Sequence, residues 1–385
     1  MTTIAEVVRW LEDFAPSRLA ESWDNVGLLL GDPAEPVKRG MTCLTVTKET
    51  ALEALGTQAD LVVSHHPVLF RETKRIRSDV PATEPLWMLA RAGVAIASPH
   101  TAFDSARDGI NEGLCRRLGL IDTAPLRPIA EPSSFKVVVF TPEPDREAVL
   151  TAAFAAGAGR IGDYAECSFA TPGQGTFFGT ENANPTVGRR GRRETVDELR
   201  LEMVCPGGRL AAVLAAIRSG HSYEEPAIDV FALNPPSTIG SGRIGRLAEP
   251  VTLGEFARTA IRALGLETIQ MVGSLAADVE RVAVACGAGD DFLGDAVRLG
   301  AQVLLTGESR FHRALEARAS EIGLLVAGHY ATERPGVEDL ADRIGRAFPD
   351  LVVWPSADET DPLRFVRDHD ATDSEQPDSG WSGSP

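Results

Sequence analysis

Basic residues are the minority charge in this sequence. The 385 residues hold 38 Lys and Arg against 55 Asp and Glu, a formal net charge of −17. An acid excess of that size argues against non-specific binding to nucleic acid or to an anionic membrane, since both select for positive charge. Cysteine is scarce too. Cys43, Cys115, Cys167, Cys205 and Cys286 are scattered, odd in number and contain no C-x-x-C. That pattern argues against a thiolate zinc site and a disulfide framework, and for a reduced, cytoplasmic protein. No run of about 18 apolar residues exists to span a bilayer. The opening MTTIAEVVRWLEDF lacks the basic flank and long apolar core of a signal peptide. What remains is a chain that is 43% hydrophobic, long enough for two or three domains with their own cores.

Residues 1–20 read as a helix, with Ile4, Val7, Val8, Leu11 and Phe14 on one face. GLLLGD (27–32), MTCLTVT (41–47), DLVVSHHP (60–67) and VAIASPHT (94–101) read as strands, with helices at TKETALEALGTQA, 85–93 and 111–120. This alternation predicts a parallel sheet covered by helices, hence an α/β fold. The proline-rich PLRPIAEPSS (125–134) marks a boundary. After it the order is β-α-β-β-α-β, the ferredoxin-like arrangement, over about 131–235. Residues 236–366 return to βα units, with RVAVACG, AQVLLTG and GLLVAGH as apolar strands. The expected organisation is two βα lobes, 1–130 and 236–366, forming one metal-binding domain interrupted by an α+β insert. The polar, acidic residues 367–385 read as a disordered tail.

Only seven histidines are present: His65, His66, His100, His221, His312, His329 and His369. DLVVSHHP, VAIASPHT and GLLVAGHY each set histidine just past the end of an apolar strand. Ligands bind at the carboxyl ends of strands in parallel α/β sheets, so these side chains can converge from positions 65 to 329. Asp104 follows His100 by four, and Glu333 follows His329 by four, which puts each pair on one side of a helical turn. Imidazoles with carboxylates, and no thiolate, form a ligand set for Zn²⁺, Mn²⁺ or Fe²⁺. Isolated strand-end histidines satisfied by backbone groups are the alternative. The adjacent His65–His66 pair at a chain turn, taken with two His-x-x-x-carboxylate motifs, favours metal.

ESWDNVGLLLGD, SHHPVLF, PHTAFD, TGESRFHRALEA and GHYATE resemble signature segments of the dinuclear-metal-centre hexameric proteins, the NGG-interacting-factor-three-like family of GTP cyclohydrolase 1 type 2 homologs. GAGRIGDYAECSF and HSYEEPAIDV resemble the PII/CutA-like insert of its longer bacterial members. The resemblance implies His65, His66, Asp104, His329 and Glu333 as ligands of two divalent ions, with Glu333 bridging and His100 behind them. It also implies a homo-hexamer and a small-molecule substrate that includes nucleotides. Two positions depart from the family pattern, Glu308 in TGES and Ser222 in HSYEEP, and neither is a member of the implied ligand set.

Two function classes follow. One is a metal-dependent hydrolase, which acts on GTP with ring opening and formate release, or on a phosphoester. Glu308, His312 or His100 would carry protons. The other is a metal or ligand carrier or sensor without turnover. Glu308 and His312 read as an i,i+4 pair on the helix after AQVLLTG, either acid/base groups or helix surface. No Walker-type loop is present. Gly157-Ala-Gly-Arg-Ile-Gly162 follows a helix and reads as a glycine cap, not a dinucleotide site. CGAGDD (286–291) reads as a tight turn, with an anion seat as the alternative. His221 is assigned to the insert's own structure or to a lid, and Arg189, Arg190, Arg192 and Arg193 to a solvated hairpin tip or a phosphate patch. Trp23-Asp24-Asn25 reads as a turn or as cleft lining.

Overall fold

A computed structural model describes residues 1–129, 134–233 and 237–364. The expected junctions near 130 and 235, and the expected acidic tail, fall on residues outside that description. The chain divides into two compact units, one of Met1–Arg127 with Gly240–Pro385, the other of Pro128–Ile239.

The first unit holds two larger sheets. One runs Gly27–Leu30, Ala95–Ser98, Leu61–Ser64, Arg39–Cys43, Val352–Pro355. Its last four strands are parallel neighbours, and Gly27–Leu30 joins antiparallel at the edge. The other runs Gln270–Val272, Gly323–Val326, Val303–Thr306, Asp278–Ala285, Arg243–Thr252, Ile121–Ala124. Here only the three middle strands from Gly323–Val326 to Asp278–Ala285 are parallel. The expectation of a parallel sheet therefore holds at the centres and gives way to antiparallel pairing at the edges. A central strand flanked on both faces needs an unbroken apolar run, and Leu61–Ser64, Ala95–Ser98 and Val303–Thr306 are buried at every residue. Ile121–Ala124 is an edge strand with no buried residue, so hydropathy gave it no signature.

Helix ends are set locally. Thr3 and Glu6 form a capping box that starts Ile4–Phe14, which buries Ile4, Val7 and Leu11. Thr252 and Glu255 do the same for Leu253–Leu264, whose Phe256 is fully covered by the second sheet's core. Burial of such a side chain contributes roughly 1.5–3 kcal/mol.

The second unit is one antiparallel sheet in the order Ile228–Leu233, Ser134–Thr141, Arg193–Cys205, Phe169–Phe178. Helices Arg146–Ala155 and Leu210–Gly220 pack with it around Val137, Val149, Leu201, Val213 and Ile217. Strand Phe169–Phe178 is ten residues long and pairs along its whole length with Arg193–Cys205.

Candidate metal centre

The carboxyl ends of the parallel strands carry the site. Leu61–Ser64 runs into His65 and His66, whose amides bond the Cys43 and Leu44 carbonyls at 2.9 and 2.8 Å. Those bonds carry the ladder past the strand end and fix both imidazoles at the opening. Ala95–Ser98 leads through Pro99 to a short helix, His100–Ser105, bearing His100 and Asp104. His100 has φ +27°, an uncommon conformation for a non-glycine residue and one that clusters at functional sites. Gly323–Val326 leads to helix His329–Ala347, whose first turns carry His329 and Glu333.

These side chains meet. Glu333 Oε2 lies 3.0 Å from His329 Nε2, 3.1 Å from His66 Nε2 and 3.8 Å from His65 Nε2. Asp104 Oδ1 lies 3.6 Å from His65 Nε2. Among the described residues, two groups have donor atoms close enough to share a cation: His65, His66 and His100, and His66, His329 and Glu333. His100, which the resemblance sets behind the ligands, has its ring centroid 5.2 Å from that of His65 and 5.5 Å from that of His66.

The supports face outward from this cluster. Glu308 Oε1 bonds His329 Nδ1 at 2.8 Å, Thr45 Oγ1 pairs with His66 Nδ1 at 2.8 Å, and Asp24 Oδ1 takes His100 Nδ1 at 2.7 Å. Each bond leaves the ring's Nε2 for the centre, which is how an outer partner fixes the tautomer of a ligating histidine. The Cys286 thiol donates to Asp104 Oδ1 at 3.4 Å, and Asn111 ties Asp104 O to Cys286 N. Thr45, Asn111 and Cys286 carried no sequence signal, because each depends on contacts far along the chain.

Charge follows from burial. His65 is buried with neither ring nitrogen hydrogen-bonded, and burial pushes its pKa down to about 3, so it is a neutral lone-pair donor. Burial and the Glu333 carboxylate raise Asp104 to about 7. Burial also acts to raise Glu333, but the surrounding histidines outweigh it and hold it ionised. The Glu333 carboxylate facing it, helped by Glu308, lifts His329 to about 9. An apolar interior does not tolerate buried imidazole nitrogens without partners. Three orphaned atoms, both nitrogens of His65 and Nε2 of His329, therefore fit a cation as the missing partner.

Glycine makes the closest approach. Gly287 has φ +56°, and a Cβ there would lie 2.2 Å from Glu333 Oε1. The CGAGDD segment is thus a turn that admits Glu333 into the centre. Its Asp290 is engaged by Arg310 at 2.9 Å.

The centre opens into a cavity of about 640 Å³, with Trp23, Phe70, Arg127 and Phe292 among its walls. His312 is exposed, stands edge-on to Phe311 and does not line this cavity. The expected Glu308–His312 helical pair does not form. The helix begins at Phe311, because Arg310 caps it in extended backbone with its amide bonded to Asp290, which leaves Glu308 in the preceding turn against His329. In the second unit His221 is buried and bonds the Phe140 carbonyl, a structural place. Arg192 pairs with Glu194 in the hairpin loop.

The family model of Duf34/NIF3 (NGG1p interacting factor 3) matches residues 2–362. The chain belongs to the NIF3 family. Among NIF3-like relatives, it is 35% identical over 364 residues to the GTP cyclohydrolase 1 type 2 homolog of Halalkalibacterium halodurans, covering 94% of this chain and 98% of that one. It is 38% identical over 355 residues to the homolog of the same description from Mycobacterium tuberculosis, covering 90% and 93%. The crystal structure of the Bacillus cereus protein related to NIF3 superposes with a TM-score of 0.76 at 33% identity, covering 95% and 99%. Among the described residues no helix of this NIF3 chain is long and apolar enough to cross a membrane.

Proposed function

We propose that this chain holds two divalent cations, drawn from Zn²⁺, Mn²⁺ and Fe²⁺, and hydrolyses a small-molecule substrate with them. The ligands in this reading are His65, His66, Asp104, His329 and Glu333. Glu333 is the shared one, since its Oε2 faces three imidazoles. The observation that carries the reading is the buried state, without a hydrogen-bond partner, of both His65 nitrogens and of His329 Nε2 around that carboxylate. Two cations held by these residues would supply an acidified water and a polarised scissile bond.

The chain's own residues do the rest. Glu308 and Thr45 keep the Nε2 lone pairs of His329 and His66 turned inward. His100, held at Nδ1 by Asp24, presents Nε2 to the cavity and is the proton carrier of this reading. Trp23 and Phe70 meet edge-on with centroids 5.7 Å apart and shield the mouth beside it. Glu308 is a positioning residue here, and His312 has no part.

The relatives' description as GTP cyclohydrolase 1 type 2 homologs makes GTP the first substrate to test. Metal-loaded protein should release formate from GTP or phosphate from a member of a phosphoester panel. A fully loaded protein that yields neither would make it a carrier or sensor.

The family reading carries two further proposals. One is that Pro128–Ile239 is a ferredoxin-like, PII/CutA-like insert, supported by its β-α-β-β-α-β order and all-antiparallel sheet. The other is a homo-hexamer of the 41.1 kDa chain, checked by its mass in solution. A monomeric mass would contradict it.

A further inference from the structure

The Pro128–Ile239 unit has a cavity of its own, of about 400 Å³. That falls within the usual range for small-molecule sites. Phe140, Phe177 and Val187 supply apolar wall. The loop after strand Phe169–Phe178 forms one side and is pinned to the segment after helix Leu210–Gly220. Asn184 donates its amide to Glu224 Oε1 at 2.7 Å, and Thr186 donates its hydroxyl to the Ser222 carbonyl at 2.8 Å.

Two polar groups line it close together, Glu198 and Tyr223. Glu198 lies on strand Arg193–Cys205 opposite Gly173, and its carboxylate covers Gly175, where a Cβ would stand 2.1 Å from Oε2. The sequence thus leaves Gly175 bare and sets the carboxylate into the cavity. The Tyr223 hydroxyl is buried and completes no hydrogen bond. Burial and the Glu198 carboxylate raise its pKa to about 12, so it is a neutral phenol at any physiological pH. Tyr223 is held in turn by His221, whose Nδ1 accepts the Tyr223 amide at 3.0 Å while Nε2 donates to the Phe140 carbonyl at 2.9 Å. The two rings lie 4.8 Å apart. This is the work of the buried His221, and it requires the neutral Nε2–H tautomer.

Charge selects the ligand. Glu198, Glu224 and Glu225 line the cavity, and among the described residues no Lys, Arg or His does. A phosphate or carboxylate would meet repulsion from three sides. We infer that this unit binds a small organic cation, with an ammonium or amidinium group on Glu198 and the Tyr223 hydroxyl, and an aryl or alkyl body against Phe140, Phe177 and Val187. A charge-assisted hydrogen bond to the carboxylate supplies orientation, and the apolar wall supplies most of the affinity. The site is separate from the histidine cluster, all of whose members lie in the other unit.

The test uses the full chain and three probes of similar size: phenethylammonium, benzamidinium and phenylacetate. Calorimetry or ligand-observed NMR should show saturable binding of the two cations and none of the anion. Glu198→Gln should weaken the cations about tenfold or more, and Tyr223→Phe about threefold. Gly175→Ala is the second handle, because it displaces the carboxylate without removing it, and it should also weaken the cations. Thermal melts establish that each variant is folded. Phenylacetate binding as tightly as the amines would mean a merely greasy cleft and overturn the inference. So would unchanged affinity in both Glu198→Gln and Gly175→Ala. No saturable binding of either cation, as when a second copy of the chain fills the cavity, would overturn it as well.

Discussion

Asp24 is the clearest case of a residue whose role the fold creates. Its buried carboxylate accepts from His100 Nδ1 and from Thr101, and those bonds outweigh burial and pull its pKa from 3.8 to about 2. A carboxylate with a depressed folded pKa stabilises the fold above its unfolded value and loses that contribution as pH falls through the folded one. Here the contribution is present above about pH 4 and fades between about 4 and 2. Asp24→Asn in metal-free protein should therefore lower the melting temperature at pH 6, and the gap to wild type should narrow below pH 4. A gap that stays constant with pH would show that the ionised pair is not its source. In the sequence, Asp24 read only as a turn residue or cleft lining, because its partner is 76 positions away. The histidines were legible for the opposite reason. They are rare, and His65, His66, His100 and His329 each follow an apolar run, so strand direction alone brings them to one end of the sheets.

At the scale of elements, the turn between strand Asp278–Ala285 and the short helical turn Gly289–Phe292 governs access of Glu333 to the centre. Gly287→Ala forces a methyl group onto Glu333 Oε1 and a side chain into positive φ. It should cost about 1–3 kcal/mol of stability and weaken metal binding about tenfold or more. Chemical denaturation and metal titration measure the two losses, and wild-type values in both would refute this account of the turn. CGAGDD stood out in sequence as a glycine turn, but nothing local said that its empty Cβ position belongs to a residue 46 positions later. The same limit applied to edge strands. Central strands announced themselves as continuous apolar runs, whereas Ile121–Ala124 and the outer part of Arg243–Thr252 are exposed and lack that pattern. Glu308 was misread in the same way: a spacing of four suggested a helix that starts only at Phe311.

For the whole molecule, the centre joins segments from both ends of the chain, since His65 and His66 come from the first sheet and His329 and Glu333 from the second. A cation that binds only this folded arrangement must stabilise the fold by mass action, about 2.7 kcal/mol at a hundred times its dissociation constant. Chelation should lower the melting temperature and re-addition of metal should restore it. A melt indifferent to both would mean that any bound metal is not part of the folded core. The most direct test is elemental analysis of purified wild type, His66→Ala and Glu333→Ala, with circular dichroism to confirm that each is folded. The account predicts two divalent ions per chain in wild type, and loss of most of that metal in both variants, because His66 stands in both groups that could share a cation and Glu333 Oε2 faces three of the imidazoles. Folded variants that keep the wild-type metal content would contradict it.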